Sequence, residues 1–114
     1  MEVTATTKYV RMSSRKVRLV VDVVRGKPVE QALAQLRFMP QHAAKAVGAT
    51  VASALANAEN NFTLDAEDLY IARISADEGP TLKRFRPRAH GRVSPLLKRS
   101  TNITVVLSDR EEES

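Results

Sequence analysis

The sequence predicts an α+β domain: three helices packed on a small three-stranded antiparallel sheet, with a long protruding β-hairpin. Three observations carry that expectation. Apolar residues recur every three to four positions through most of the first half of the chain, the period of helices with one buried face. They recur every second position from Glu2 to Val10, Asp68 to Asp77 and Ser100 to Ser108, the period of strands. The last two strands are separated by residues 79–99, a connection far longer than an ordinary hairpin loop.

Taken in order, Glu2 to Val10 is rich in β-branched residues, and its alternation sets Val3, Ala5, Thr7 and Tyr9 on one side. Ser13 or Ser14 caps the helix that follows. Val17, Val20, Val21 and Val24 form its buried stripe, with Arg15, Arg18, Asp22 and Arg25 facing elsewhere. Valine is a poor helix former, so this helix depends on tertiary packing. Gly26 suits the reversal after its last turn, and Pro28 blocks continuation. A second helix spans Pro28 to Phe38 on Val29, Ala32, Leu33 and Leu36, and Met39-Pro40 ends it. The third and longest runs from Gln41 to Glu59 on Ala44, Val47, Val51, Leu55 and Ala58, with Asn60-Asn61 as its stop. Asp68 to Asp77 sets Leu69, Ile71, Arg73 and Ser75 against Tyr70, Ala72, Ile74 and Ala76. Ser100 to Ser108 sets Thr101, Ile103, Val105 and Leu107 against Asn102, Thr104 and Val106. The order β-α-α-α-β-β places helices against an antiparallel sheet.

A chain of 114 residues fits one domain, and neither a linker nor an internal repeat divides it. The expected domain is residues 1–110, with a globular part at 1–78 and 100–110 and an extended hairpin at 79–99. Residues 111–114 form an acidic tail. The absence of Cys excludes disulfides and thiolate metal sites and fits a reducing compartment. Residues 1–10 lack the apolar run of a signal peptide, and no stretch has the roughly 20 apolar residues of a membrane span. The expectation is a cytoplasmic protein with no membrane partner and no homo-oligomer.

Charge is unevenly spread. The formal charge is +5 and the isoelectric point about 10.0. Lys8, Arg11, Arg15, Lys16, Arg18, Arg25 and Lys27 form one block containing a single acid, Asp22. Lys83, Arg84, Arg86, Arg88, Arg92, Lys98 and Arg99 form a second, in a stretch from Gly79 to Ser108 with no acid. Residues 28–78 are net acidic. A solvated basic face would explain one such block; two of them point to a polyanion. Arginine outnumbers lysine in both, and its planar fork suits phosphate and base edges.

The long connection carries the function. Its prolines restrict it, and Leu82, Phe85, Val93, Leu96 and Leu97 distinguish it from a disordered polar tail. It reads as a β-ribbon with Gly91 near the tip. A bare two-stranded ribbon is marginal in water, and its many like charges need counter-charge. Both difficulties vanish inside folded RNA, where phosphates neutralise arginines and bases stack on aromatic rings and guanidinium planes.

The motif Asp77-Glu78-Gly79-Pro80, with Leu82-Lys83-Arg84, Pro87-Arg88-Ala89, Gly91-Arg92, Leu97-Lys98-Arg99 and Ile103-Thr104-Val105-Val106, resembles the hairpin of the bacterial ribosomal protein L twenty-two family. Val10-Arg11-Met12-Ser13 and Arg15-Lys16-Val17-Arg18-Leu19-Val20 resemble its first helix. Ala54-Leu55-Ala56-Asn57-Ala58-Glu59 resembles the end of its long helix. The likeness covers residues 2 to 110. It implies a structural constituent of the large ribosomal subunit that binds 23S rRNA and supports assembly. It also implies a hairpin tip, Arg88, Ala89, His90, Gly91 and Arg92, that lines the nascent-peptide exit tunnel beside protein L four. The implied partners are 23S rRNA, neighbouring large-subunit proteins and the nascent polypeptide. The RNA-binding residues are then the two basic blocks together with His90.

Catalysis finds little here: no Cys, no HExxH, no phosphate-binding loop and no nucleophile elbow. His42 opens the long helix. Asp65, Glu67 and Asp68 fit no calcium-loop spacing and read as a solvated turn. No enzyme activity, cofactor or metal is expected. Two other readings stay open at this point: a free-standing chaperone or architectural protein using the ribbon on DNA, and a protein-interaction module.

Overall fold

The structure is a computed structural model that describes residues 2–79, 82–87, 93–98 and 100–109, the second and third of these through their backbone. The elements are β1 (Glu2–Val10), α1 (Ser14–Val24), α2 (Val29–Phe38), α3 (Ala43–Phe62), a short 3-10 turn (Ala66–Asp68), β2 (Tyr70–Glu78), β3 (Leu82–Pro87), β4 (Val93–Lys98) and β5 (Thr101–Ser108). Strands β1, β5 and β2 form one antiparallel sheet in that order, so the last strand lies at the centre. The predicted α+β class, with its three helices and three-stranded sheet, is borne out. The acidic tail expected at 111–114 lies outside the described residues.

One face of the sheet meets α1 and α3, and α2 packs on α3. The core is built from branched aliphatics: Val17, Val20, Val21 and Val24 of α1, Val47 and Val51 of α3, and Ile71, Ile103, Val105 and Leu107 of the sheet are buried. Burial of the valine stripe supplies what intrinsic propensity withholds. Gly48 of α3 faces α2, where a Cβ would sit 3.8 Å from the Leu36 Cβ, an ordinary packing distance. Thr50, fully buried in α3, donates to the Ala46 carbonyl at 2.9 Å and lies 2.7 Å from the Thr7 hydroxyl. No buried side-chain polar atom among the described residues lacks a partner.

The sheet departs from simple alternation twice. Between Ile71 and Arg73 the register against β5 shifts, so Ala72 is an extra residue. Ile71 and Ile74 consequently both face the core, although strict alternation would separate them. Between Thr7 and Val10 the register against β5 shifts again, and Tyr9 leaves the apolar side that it was expected to share with Val3 and Ala5. The long helix also differs from expectation, running on through Asn60-Asn61 to Phe62. Its stop is Thr63, in the left-handed region at φ 51, with the Leu64 N–H donating to the Ala58 carbonyl at 3.1 Å. Leu64 packs against the core and fixes where the reversal falls.

Strands β3 and β4 pair with each other from Leu82 opposite Lys98 to Pro87 opposite Val93, the ribbon predicted between β2 and β5. The molecule measures 64 × 27 × 23 Å with a radius of gyration of 17.3 Å. A compact domain of this length would have about 13 Å.

Candidate nucleic-acid interface

The fold divides the first basic block into two groups. Arg18 and Arg25, seven residues apart on one side of α1, turn back onto β2. That strand is a sheet edge, whose outer carbonyls would otherwise stand unpaired. Arg18 Nε donates to the Ala76 carbonyl at 2.9 Å, and Arg25 Nη2 donates to the Ile74 carbonyl at 3.1 Å. The turn after α1 covers more of the same edge. Gly26 N–H donates to Ile71 O at 3.1 Å, Ile71 N–H to Lys27 O at 2.9 Å, and Val29 N–H to Leu69 O at 3.0 Å. Gly26 makes this path possible with φ +80. Arg25 also pairs with Asp22 at 2.6 Å, and Lys27 Nζ donates to Gln35 Oε1 at 2.6 Å.

Lys8, Arg11, Arg15 and Lys16 behave differently. All four are exposed, and among the described residues none makes a side-chain hydrogen bond or ion pair. They gather where β1 ends and α1 begins. The connecting turn is pinned from within: Met12 N–H donates to Val10 O at 2.8 Å, and the buried Thr101 hydroxyl donates to Met12 O at 2.7 Å. Arg11 sits at the apex of that turn. Arg15 and Lys16 occupy the first turn of α1, which holds no acid, and Ser13 makes no side-chain capping bond. Cations at the positive end of a helix dipole cost a few tenths to about 1 kcal/mol each. Internal stability therefore gives no reason for this cluster, whereas an external polyanion does.

The ribbon begins beside it. Gly79 N–H donates to Ser100 O at 3.0 Å, and the strands approach so closely there that a Cβ would lie 2.6 Å from Ser100 Oγ. The register of β3 against β4 assigns Arg84, Arg86 and Lys98 to one face of the ribbon and Lys83, Phe85, Pro95 and Val93 to the other. The ribbon is thus two-sided in sequence, with most of its strand cations on a single face. The predicted tip residues Arg88, Ala89, His90, Gly91 and Arg92, and Arg99, lie outside the described residues.

Other charged groups are accounted for locally. Arg73 forms a two-bonded pair with Glu2, at 2.8 and 3.2 Å, bridging β2 and β1 across the central strand. Val106, opposite Arg73 in the register and on the sheet's open face, is only 7% exposed. Asp65, Glu67 and Asp68 are exposed around the 3-10 turn. No group of three or more metal-ligating side chains gathers among the described residues, and no helix there is long and apolar enough to cross a membrane.

Residues 5–108 match the model of the family described as ribosomal protein L22p/L17e. The chain belongs to the L22p/L17e family. The matched span takes in every helix and strand except the first three residues of β1, and it bears out the resemblance drawn from the hairpin and first-helix motifs. The chain is 56% identical over 112 residues to the large ribosomal subunit protein uL22 of Chloroflexus aggregans, covering 98% of this chain and 99% of that one. It is 56% identical over 108 residues to that of Pediococcus pentosaceus, covering 95% and 92%. To that of Clostridium novyi it is 54% identical over 110 residues, covering 96% and 99%. An L22p/L17e protein is a structural protein, not an enzyme.

Sequence reasoning named every cation of the L22p/L17e chain discussed above but did not separate the two groups. The spacing of Arg18 and Arg25 held the signal, since both flank the valine stripe one heptad apart. The exposure of Tyr9, 63%, had no signal in the periodicity.

Proposed function

We propose that this chain is a structural constituent of the large ribosomal subunit, acting in the cytoplasm, that binds 23S rRNA through two cationic surfaces. The first is Lys8, Arg11, Arg15 and Lys16 at the start of α1. The second is the ribbon, with Arg84, Arg86 and Lys98 on one face and Arg88, His90, Arg92 and Arg99 towards its tip and root. By bridging separate rRNA segments the two surfaces support subunit assembly. The tip, residues 88–92, lines the nascent-peptide tunnel beside protein L four, where the growing polypeptide passes. Arg18, Arg25 and Lys27 hold the sheet edge and the α1–α2 turn rather than the RNA.

The observation that carries this reading is the cluster of four unengaged cations at the positive end of α1. Family membership and the names of the relatives support it. The test is ultraviolet crosslinking of the assembled large subunit, followed by identification of the crosslinked peptides. Two groups of RNA-linked peptides are expected, spanning residues 8–16 and 83–99. Crosslinks confined to residues 28–78 would contradict the proposal. Changing Arg84, Arg88 and Arg92 together to Ala should leave the isolated chain folded while weakening its association with rRNA in a filter assay.

A further inference from the structure

We infer that Tyr9 is a stacking platform for one unpaired RNA base, held out of the protein by a bulge that the Asn102 side chain locks. The inference rests on the RNA-binding reading above and names a specific contact within it.

Alternation would place Tyr9 on the same side of β1 as Val3 and Ala5, over the core. Two residues, Lys8 and Tyr9, instead occupy a space on β1 that β5 matches with Asn102 alone. Tyr9 takes φ 63, in the left-handed region where a Cβ crowds its own backbone. Only one other described residue without a glycine's freedom does this: Thr63, whose geometry is explained by the end of α3. The Tyr9 N–H, turned away from the regular ladder, donates to Asn102 Oδ1 at 3.1 Å. An amide side chain thus replaces the missing backbone partner and fixes the irregular path.

The outcome is a ring that is 63% exposed. A tyrosine offers a large apolar surface, and the fold accepts backbone strain to keep this one in water rather than in the core. Strain of this kind, imposed on an exposed aromatic, points to an external partner. The neighbours specify its chemistry. Lys8 and Arg11 flank Tyr9 in sequence and are exposed and unengaged among the described residues. An aromatic face between cations suits a splayed-out base whose flanking phosphates are neutralised on either side. The exposed Phe38 and Phe62 merely end α2 and α3, and neither is held by a left-handed backbone.

The test uses the full chain and in vitro transcribed bacterial 23S rRNA. Affinity is measured across a salt series for wild type, Tyr9→Ala, Tyr9→Leu and Tyr9→Phe, with thermal melting of each variant as a control. Short-wavelength ultraviolet crosslinking of the wild-type complex supplies a second readout. The expected result is a loss of roughly tenfold or more in affinity for Tyr9→Ala and Tyr9→Leu, with near wild-type binding for Tyr9→Phe. The dependence on salt and the melting temperatures should stay unchanged, because no charge is removed and the ring is exposed. A nucleotide adduct is expected on Tyr9. Unchanged affinity in Tyr9→Ala, with wild type still binding tightly and salt-dependently, would overturn the stacking role and leave RNA binding standing. Equal losses in all three variants would also overturn it, assigning the contribution to the phenolic hydroxyl rather than to the stacked ring. Failure of wild type to bind rRNA at all would overturn both readings.

Discussion

Asn102 and Gly79 show how single residues set the geometry at the root of the ribbon. The Asn102 amide oxygen accepts from the Tyr9 N–H and lies 3.2 Å from where a Cβ of residue 79 would stand. Because that oxygen already holds a hydrogen bond, it cannot swing aside cheaply. Gly79→Ala should destabilise the chain by about 1–3 kcal/mol, the usual cost of overpacking. Denaturant unfolding of the two proteins checks this, and equal stabilities would mean that Ser100 and Asn102 yield without penalty. A second residue-scale expectation concerns Lys16. It occupies the third helical position after Ser13, where a glutamate would complete a capping box and complement the helix dipole. Lys16→Glu should therefore raise stability by about 0.5–1 kcal/mol while weakening rRNA binding. A variant that melts higher and binds worse identifies Lys16 as a residue kept for its partner rather than for the fold.

At the scale of elements, α1 faces three ways. Its valines enter the core, Arg18 and Arg25 close the outer edge of β2, and its first turn presents cations to solvent. Removing the edge hydrogen bonds with Arg18→Ala and Arg25→Ala should cost about 1–2 kcal/mol in total, as both side-chain donors disappear. It should also leave β2 more open to strand pairing between molecules. Light scattering during thermal unfolding would detect the second effect; unchanged melting and scattering would deny the edge role. The elements themselves were legible in the sequence because periodicity reports burial directly. The valine stripe, the apolar line of α3 and the alternation of β5 each follow from one buried face. What escaped were the two register shifts at Ala72 and at Lys8–Tyr9, and the run of α3 through Asn60-Asn61. These depend on partners distant in sequence: β5 for the bulges, and the docking of Leu64 for the helix end. Local propensity carries no information about such partners.

Over the whole molecule, charge and shape act together. In an elongated body, the root of an acid-free ribbon adjoins the cationic start of α1, where Val10 pairs with Thr101, while residues 28–78 carry most of the acids. The candidate site was legible as two blocks of cations, because composition survives without geometry. Their sorting into sheet-holding and partner-facing groups was not, since it depends on which carbonyls α1 lies against. That sorting is the central claim, and salt dependence of binding to 23S rRNA tests it most directly. Every phosphate left without its cation should flatten the slope of log affinity against log salt by about 0.7–0.9. Replacing Lys8, Arg11, Arg15 and Lys16 with Ala should flatten it by roughly 3, whereas replacing Arg18 and Arg25 should lower stability and leave the slope nearly unchanged. A slope that holds for the first set and collapses for the second would contradict the account.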